Sequence, residues 1–98
     1  MLSICIPVYN YHVVPLVESL LKCIEGDAEI EIVVADDASN SSFKKQNQSL
    51  AKLSGVLYLE REENSGRSAI RNLLAQNASH PYLLFIDADS LLPDCSFI

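Results

Sequence analysis

Ninety-eight residues allow one small domain or part of a larger one. With 49% hydrophobic and 20% charged residues, the composition excludes an intrinsically disordered chain. A net charge of −6 at pH 7 excludes a basic face for nucleic acid or anionic lipid, so an anionic ligand would need a cation to mediate its binding.

The short apolar run at the N-terminus lacks a basic leader and a cleavage site, which reads as no signal peptide and a cytoplasmic location. No stretch approaches the roughly 20 apolar residues of a transmembrane helix. Cys5, Cys23 and Cys95 are odd in number and lack C-x-x-C spacing. They read as reduced thiols rather than a disulfide framework or zinc site.

In chain order, "LSICIPVYN" predicts a buried strand over about residues 2–6 that stops at Pro7 in a loop. "HVVPLVESLLKCIEG" predicts a helix. Val13, Val17, Leu20 and Ile24 recur at helical spacing, Leu16 and Leu21 widen the stripe, Pro15 suits the first turn and Gly26 marks the end. "AEIEIVVADD" becomes continuously apolar, as a strand covered on both faces does, and ends in Asp36 and Asp37. "SNSSFKKQNQSLAKL" predicts a polar helix capped by Ser41 or Ser42, with a weak stripe from Phe43, Leu50 and Leu53. "GVLYLE" predicts a third strand. "NSGRSAIRNLLAQNAS" predicts a helix capped near Ser65 and apolar at Ala69, Ile70, Leu73 and Leu74. Pro81 then leads into a fourth strand, "YLLFIDADS".

This β-α-β-α-β-α-β order with short connections predicts a three-layer α/β/α fold around a mostly parallel sheet. In such sheets ligands sit outside the carboxyl ends of the strands, where strand order reverses. Three polar clusters, "PVYN", "DDAS" and "DADS", lie at those ends and should converge.

Asp87 and Asp89 are two residues apart, so both face one way if the strand continues through them. Two adjacent carboxylates repel unless a cation joins them, and magnesium or manganese favours such oxygen ligands alongside substrate phosphates. The alternative is a solvated strand end and a turn. Asp36 and Asp37 are adjacent, so at most one faces the site, where it could accept from a base N–H or a ribose hydroxyl. The alternative for the pair is a turn with Ser39 and Asn40. Tyr9 could stack on a base or pack against its own loop. Arg67 and Arg71 oppose the dipole of their helix and share a face that could meet a diphosphate. Surface pairing with Glu62 or Glu63 is the alternative. His12 and His80 lack metal-ligand spacing. There is no G-x-G-x-x-G after the first strand, no P-loop and no nucleophile elbow.

Together, "SICIPVYN", "EIVVADDAS", "ENSGRSAIRN" and "LLFIDADS", in that order, resemble the N-terminal half of a family 2 glycosyltransferase with the Rossmann-like GT-A fold. The resemblance covers essentially the whole chain. It implies a nucleotide-diphosphate-sugar site in which Pro7, Val8, Tyr9 and Asp37, with Asp36 beside it, hold the nucleoside. The family's arginine matches Arg71, with Arg67 as a second candidate. The D-x-D matches Asp87, near the ribose, and Asp89, near a divalent cation (Mn2+ or Mg2+), with Asp87 as the second candidate metal ligand. Uridine diphosphate sugars are the commonest donors, and guanosine and thymidine versions occur. The acceptor would be a sugar or a lipid-linked glycan.

Family members continue well beyond the position matched by Ile98, and that half supplies the acceptor site and the general base of an inverting reaction. No residue here is therefore expected to be the base. The 98-residue chain reads as a truncated protein, inactive alone, with an exposed sheet edge that favours self-association. Three rival functions are a non-catalytic nucleotide-binding domain of the same fold, a haloacid dehalogenase-like phosphatase suggested by "FIDADSLL", and a nucleotidyltransferase. The phosphatase would need a lysine and further aspartates downstream, and the nucleotidyltransferase a glycine-rich, lysine-bearing loop after the first strand.

Overall fold

The computed structural model describes residues 1–25, 27, 29–64 and 66–90. Along the chain run β1 (Leu2–Val8), α1 (Val14–Ile24), β2 (Ile30–Asp37) and α2 (Ser41–Asn47). A 3-10 turn (Gln48–Lys52), β3 (Val56–Arg61), α3 (Gly66–Asn77) and β4 (Tyr82–Phe85) follow. The strands form one sheet in the order β3-β2-β1-β4, and every pairing is parallel. The expected α/β fold with its parallel sheet is the one that forms.

The two-residue period of the central strands divides the core. Ile4, Ile6 and Val8 of β1 and Ile32 and Val34 of β2 pack with Val13, Val17 and Leu20 in one cluster. Cys5, Val33 and Ala35 point the other way, into a cluster with Ile70 and Leu74 of α3. Both faces of β1 and β2 are thus covered, which is why "ICI" and "IVVA" are apolar without interruption. Each fully buried Leu, Ile or Val contributes about 1.5–3 kcal/mol of hydrophobic stabilisation. On α1, Leu16, Val17, Leu20 and Ile24 are buried and Pro15 occupies the first turn, where its missing N–H has no helical partner to lose.

Four local features differ from the sequence expectation. β1 does not stop at Ile6 but runs through Pro7, which pairs with Ala35. Leu2 donates its N–H to Glu29 on the β2 side, whereas the Cys5 carbonyl accepts from Ile86 on the β4 side. Pro7 shares the parity of Cys5, so its absent N–H faces the β4 side, where pairing has already ended. α2 begins after Asn40 rather than at a serine cap, and it yields to a 3-10 turn at Gln48 because its apolar stripe is too sparse to hold a long helix. β4 ends at Phe85, and the Ser90 N–H donates to the Asp87 carbonyl, so Asp87 and Asp89 lie in a turn.

The fourth difference concerns sulfur. Cys5 is a buried free thiol, as expected, but Cys23 is disulfide-bonded. Burial, aided by the Glu31 carboxylate and opposed by Arg71, pushes the Cys5 thiol up to about 11. Cys95, Gly26 and Ser65, read above as a thiol, a helix end and a cap, lie outside the described residues.

A polar knot closes the amino end of the sheet. Glu31 of β2 accepts from the Ser3 hydroxyl of β1 at 2.6 Å and from the Ser79 N–H ahead of β4. The Ser3 hydroxyl oxygen in turn accepts from the His80 N–H at 3.3 Å. Burial alone would raise the Glu31 carboxyl. The Ser3 and Ser79 hydrogen bonds, with His80 nearby, outweigh it and hold the group below its usual value. Among the described residues no helix is long and apolar enough to cross a membrane.

Candidate functional site

Strand order runs outward from β1 to β3 and then returns to place β4 on the opposite side of β1. Where the order reverses, the connections leaving neighbouring strands diverge and open a crevice at the carboxyl edge. A cavity of about 310 Å³ lies there. Pro7, Val8 and Tyr9 line it from the end of β1, Asp37 from the end of β2, and Asp87 from the turn after β4. Asn64, Gly66, Arg67 and Ile70 complete it from the start of α3.

The two aspartates ending β2 separate as the strand period requires. Asp37 faces the cavity, and its Oδ2 accepts from the Gly66 N–H at 3.1 Å. Asn64 Nδ2 donates to the Asp37 carbonyl at 3.3 Å. Gly66 has φ +83, a left-handed conformation that side chains rarely adopt, and this lets the first residue of α3 turn its N–H onto the carboxylate. Asp36 lies fully buried and outside the cavity lining. One of its oxygens accepts from the Ser39 N–H at 2.9 Å and the other from the Ser39 hydroxyl. The structure therefore spends Asp36 on the turn and turns Asp37 towards the opening.

The two arginines also part company. Arg67 lines the cavity, whereas the Arg71 guanidinium lies 4.1 Å from the centroid of the Phe85 ring, stacked on the end of β4. Tyr9 stands at the rim with 56% of its surface exposed, free to meet a flat ligand.

Asp87 is exposed at the cavity, and Asp89 is exposed in the same turn but outside the lining. Among the described residues no group of three or more His, Cys, Asp and Glu is arranged to hold a metal. The pair nonetheless has the chemistry a hard divalent cation takes from protein when substrate phosphates supply the remaining ligands, namely one or two carboxylates. Among the described residues the lining carries one cation, Arg67, against two carboxylates, Asp37 and Asp87. A diphosphate entering here meets a single guanidinium and gains from a second positive charge.

Sequence reasoning missed Asn64, Gly66 and Ile70 in the lining, although "ENSGR" marked their neighbourhood. It also missed Asn10, whose amide oxygen accepts from the Asn40 N–H at 2.8 Å, and Asn47, a buried asparagine on a helix read only as polar. Nothing in a single sequence distinguishes Asn47 from a solvated residue.

The sequence profile of glycosyl transferase family 2 matches residues 3–96. A poly(ribitol-phosphate) beta-glucosyltransferase of Bacillus spizizenii is 36% identical over 95 residues, covering 93% of this chain and 15% of that protein. S. aureus TarS 1-349 superposes with a TM-score of 0.81 at 25% identity, over 98% of this chain and 29% of the other. Its complex with UDP-GlcNAc gives 0.76 at 28% identity, over 90% and 26%. The mannosyltransferase PcManGT from Pyrobaculum calidifontis, in complex with GDP-Man and Mn2+, gives 0.74 at 25% identity, over 96% and 29%. The chain thus spans about 15% of the length of that curated relative and less than a third of each solved structure.

Proposed function

Because the chain belongs to glycosyl transferase family 2, we propose that its carboxyl-edge cavity binds a nucleotide-diphosphate sugar, and that the protein transfers the sugar to an acceptor. The observation that carries this reading is the convergence of Tyr9, Asp37, Arg67 and Asp87, from four separate parts of the chain, on one cavity at the strand-order reversal. The donor is a uridine diphosphate sugar, a choice supported by the UDP-GlcNAc complex of a 28%-identical structure.

Tyr9 stacks on the base, and Pro7 and Val8 form the apolar wall beneath it. Asp37, held by the Gly66 N–H, accepts from the base or the ribose. Arg67 meets the diphosphate, and Arg71, on Phe85, supports the same helix end from outside the lining. Asp36 serves the site indirectly through its turn. Asp87 and Asp89 hold a divalent cation, which when bound supplies Lewis-acid stabilisation of the departing diphosphate.

The reaction inverts the anomeric centre. We assign its general base to none of these residues and look for it, with the acceptor site, in sequence beyond the matched stretch. Similarity to the poly(ribitol-phosphate) beta-glucosyltransferase favours a polyol-phosphate polymer as acceptor. A cytoplasmic location belongs to the same proposal.

Thermal unfolding with UDP plus manganese, UDP plus chelator, and manganese alone tests the site. A ligand at 100 times its Kd adds about 2.7 kcal/mol, several degrees for a domain of this size. The expected result is a shift that needs both components. No shift with UDP, GDP or dTDP, with or without manganese, overturns the reading.

A further inference from the structure

The segment that carries Tyr9 is fastened along α2 at both ends of that helix. At the amino end, the Asn10 N–H donates to the Ser39 hydroxyl oxygen at 2.8 Å, and the Asn10 amide oxygen accepts from the Asn40 N–H at 2.8 Å. At the carboxyl end, Asn47 Oδ1 accepts from the Val13 N–H at 3.0 Å, and Asn47 Nδ2 donates to the Tyr11 carbonyl at 2.8 Å. Ser39 is itself pinned from behind, because its N–H and hydroxyl both donate to Asp36.

Two of these groups could have been left to water and were not. Asn47 is fully buried, and its side chain satisfies two main-chain groups of the loop, the N–H of buried Val13, which would otherwise lack a partner, and the Tyr11 carbonyl. Asn10 sits at φ +50, a left-handed conformation that asparagine tolerates better than most residues. A connection of this kind is ordinarily mobile. Here Asn10, Tyr11 and Val13 are each bonded to α2 or the turn before it, while Tyr9, the residue before Asn10, stays exposed at the cavity rim.

We infer that Asn10, Ser39 and Asn47 are positioning residues: they clasp the segment after β1 to α2, so that Tyr9 is held at the cavity before a nucleotide arrives. This rests on the donor reading of the cavity. It adds that affinity depends on a hydrogen-bonded clasp none of whose three members lines the cavity. Ordering a loop at the moment of binding subtracts from affinity, and an ordered loop avoids that loss.

Asn10 offers a clean series. Asn10→Asp keeps an oxygen for the Asn40 N–H and tolerates the left-handed backbone, and Asn10→Gly keeps the backbone freedom but has no acceptor. Titration calorimetry with UDP and manganese on the full chain should show Asn10→Gly binding on the order of tenfold more weakly than the parent, and Asn10→Asp close to it. Amide hydrogen exchange without ligand reads the clasp independently. The Asn10, Val13 and Asn40 N–H groups should be protected in the parent, and Asn40 should lose protection in the glycine variant.

If Asn10→Gly binds UDP as tightly as the parent, the positioning role is wrong. Parent amides that exchange as freely as those of an unstructured loop overturn the clasp itself, whatever any variant does. Protected amides in a parent that binds no nucleotide establish the clasp and sink the donor reading, so the two failures are distinguishable.

Discussion

Glu31 and Asp37 stand at opposite ends of β2, on the same face of the strand, and meet opposite fates. Glu31 is enclosed by groups from two other segments, Ser3 and Ser79, which join the amino ends of β1, β2 and β4 into one knot. Asp37 is gripped on one side by Gly66 and Asn64 and presented on the other to a cavity. At the amino end the carboxylate closes the structure. At the carboxyl end Asp36 and Ser39, one residue back and two ahead, close the turn, and Asp37 lines the cavity. Stability and binding are thus assigned to neighbouring residues of one strand, and substitution can separate them.

The largest effect should come from Asp36→Ala. It leaves the Ser39 N–H and hydroxyl buried without an acceptor, at about 3 kcal/mol of stability in urea denaturation. Asp37→Asn keeps an oxygen for the Gly66 N–H and should cost less than Asp36→Ala in the same experiment, yet weaken UDP binding. Equal stability losses at the two positions would erase the contrast drawn between them.

Arg67→Ala comes next, with UDP affinity falling on the order of 30-fold by calorimetry and little change in stability. Arg71→Ala should do the reverse, with a modest affinity change and about 0.5–1 kcal/mol lost from its contact with Phe85. If Arg71 proves the stronger determinant of affinity, the cavity has been given the wrong arginine.

Glu31→Gln is a smaller, pH-dependent test. The folded-state pKa of Glu31 is lowered, so its contribution is fully present above the ordinary value of 4.5 and is lost as the pH falls below that value. The parent should lose stability between pH 7 and pH 3.5 by a margin that shrinks in the glutamine variant. A margin of the same size in both proteins removes Glu31 as the cause. Least visible is Cys5, between the two ends. With its thiol pushed up to about 11 and its side chain buried, it should resist a thiol reagent at pH 8 until urea is added. Prompt labelling of the native protein contradicts that packing.

Much of this was legible before any coordinates. The alternation of apolar and helical periods announced the parallel sheet, and adjacency alone required Asp36 and Asp37 to face apart. Three things were hidden, each for a physical reason. The end of β4 depends on where β1 stops offering bonds, which is a property of two strands and not of "FIDADS". Four-residue spacing puts Arg67 and Arg71 on one helix face, but only the Phe85 ring, supplied by another element, decides which of them lines the cavity. Asn47 looked like one more polar residue on a weak helix, because its partners are main-chain groups more than thirty positions away.

The sheet order has a consequence for the timing of synthesis. β1 is the second strand from one edge, and its outer neighbour is β4, so Leu2 must wait for Tyr82 before its register is complete. On a ribosome, β1 stays half-paired until β4 has been translated. During that interval its open side is a template for any other extended segment.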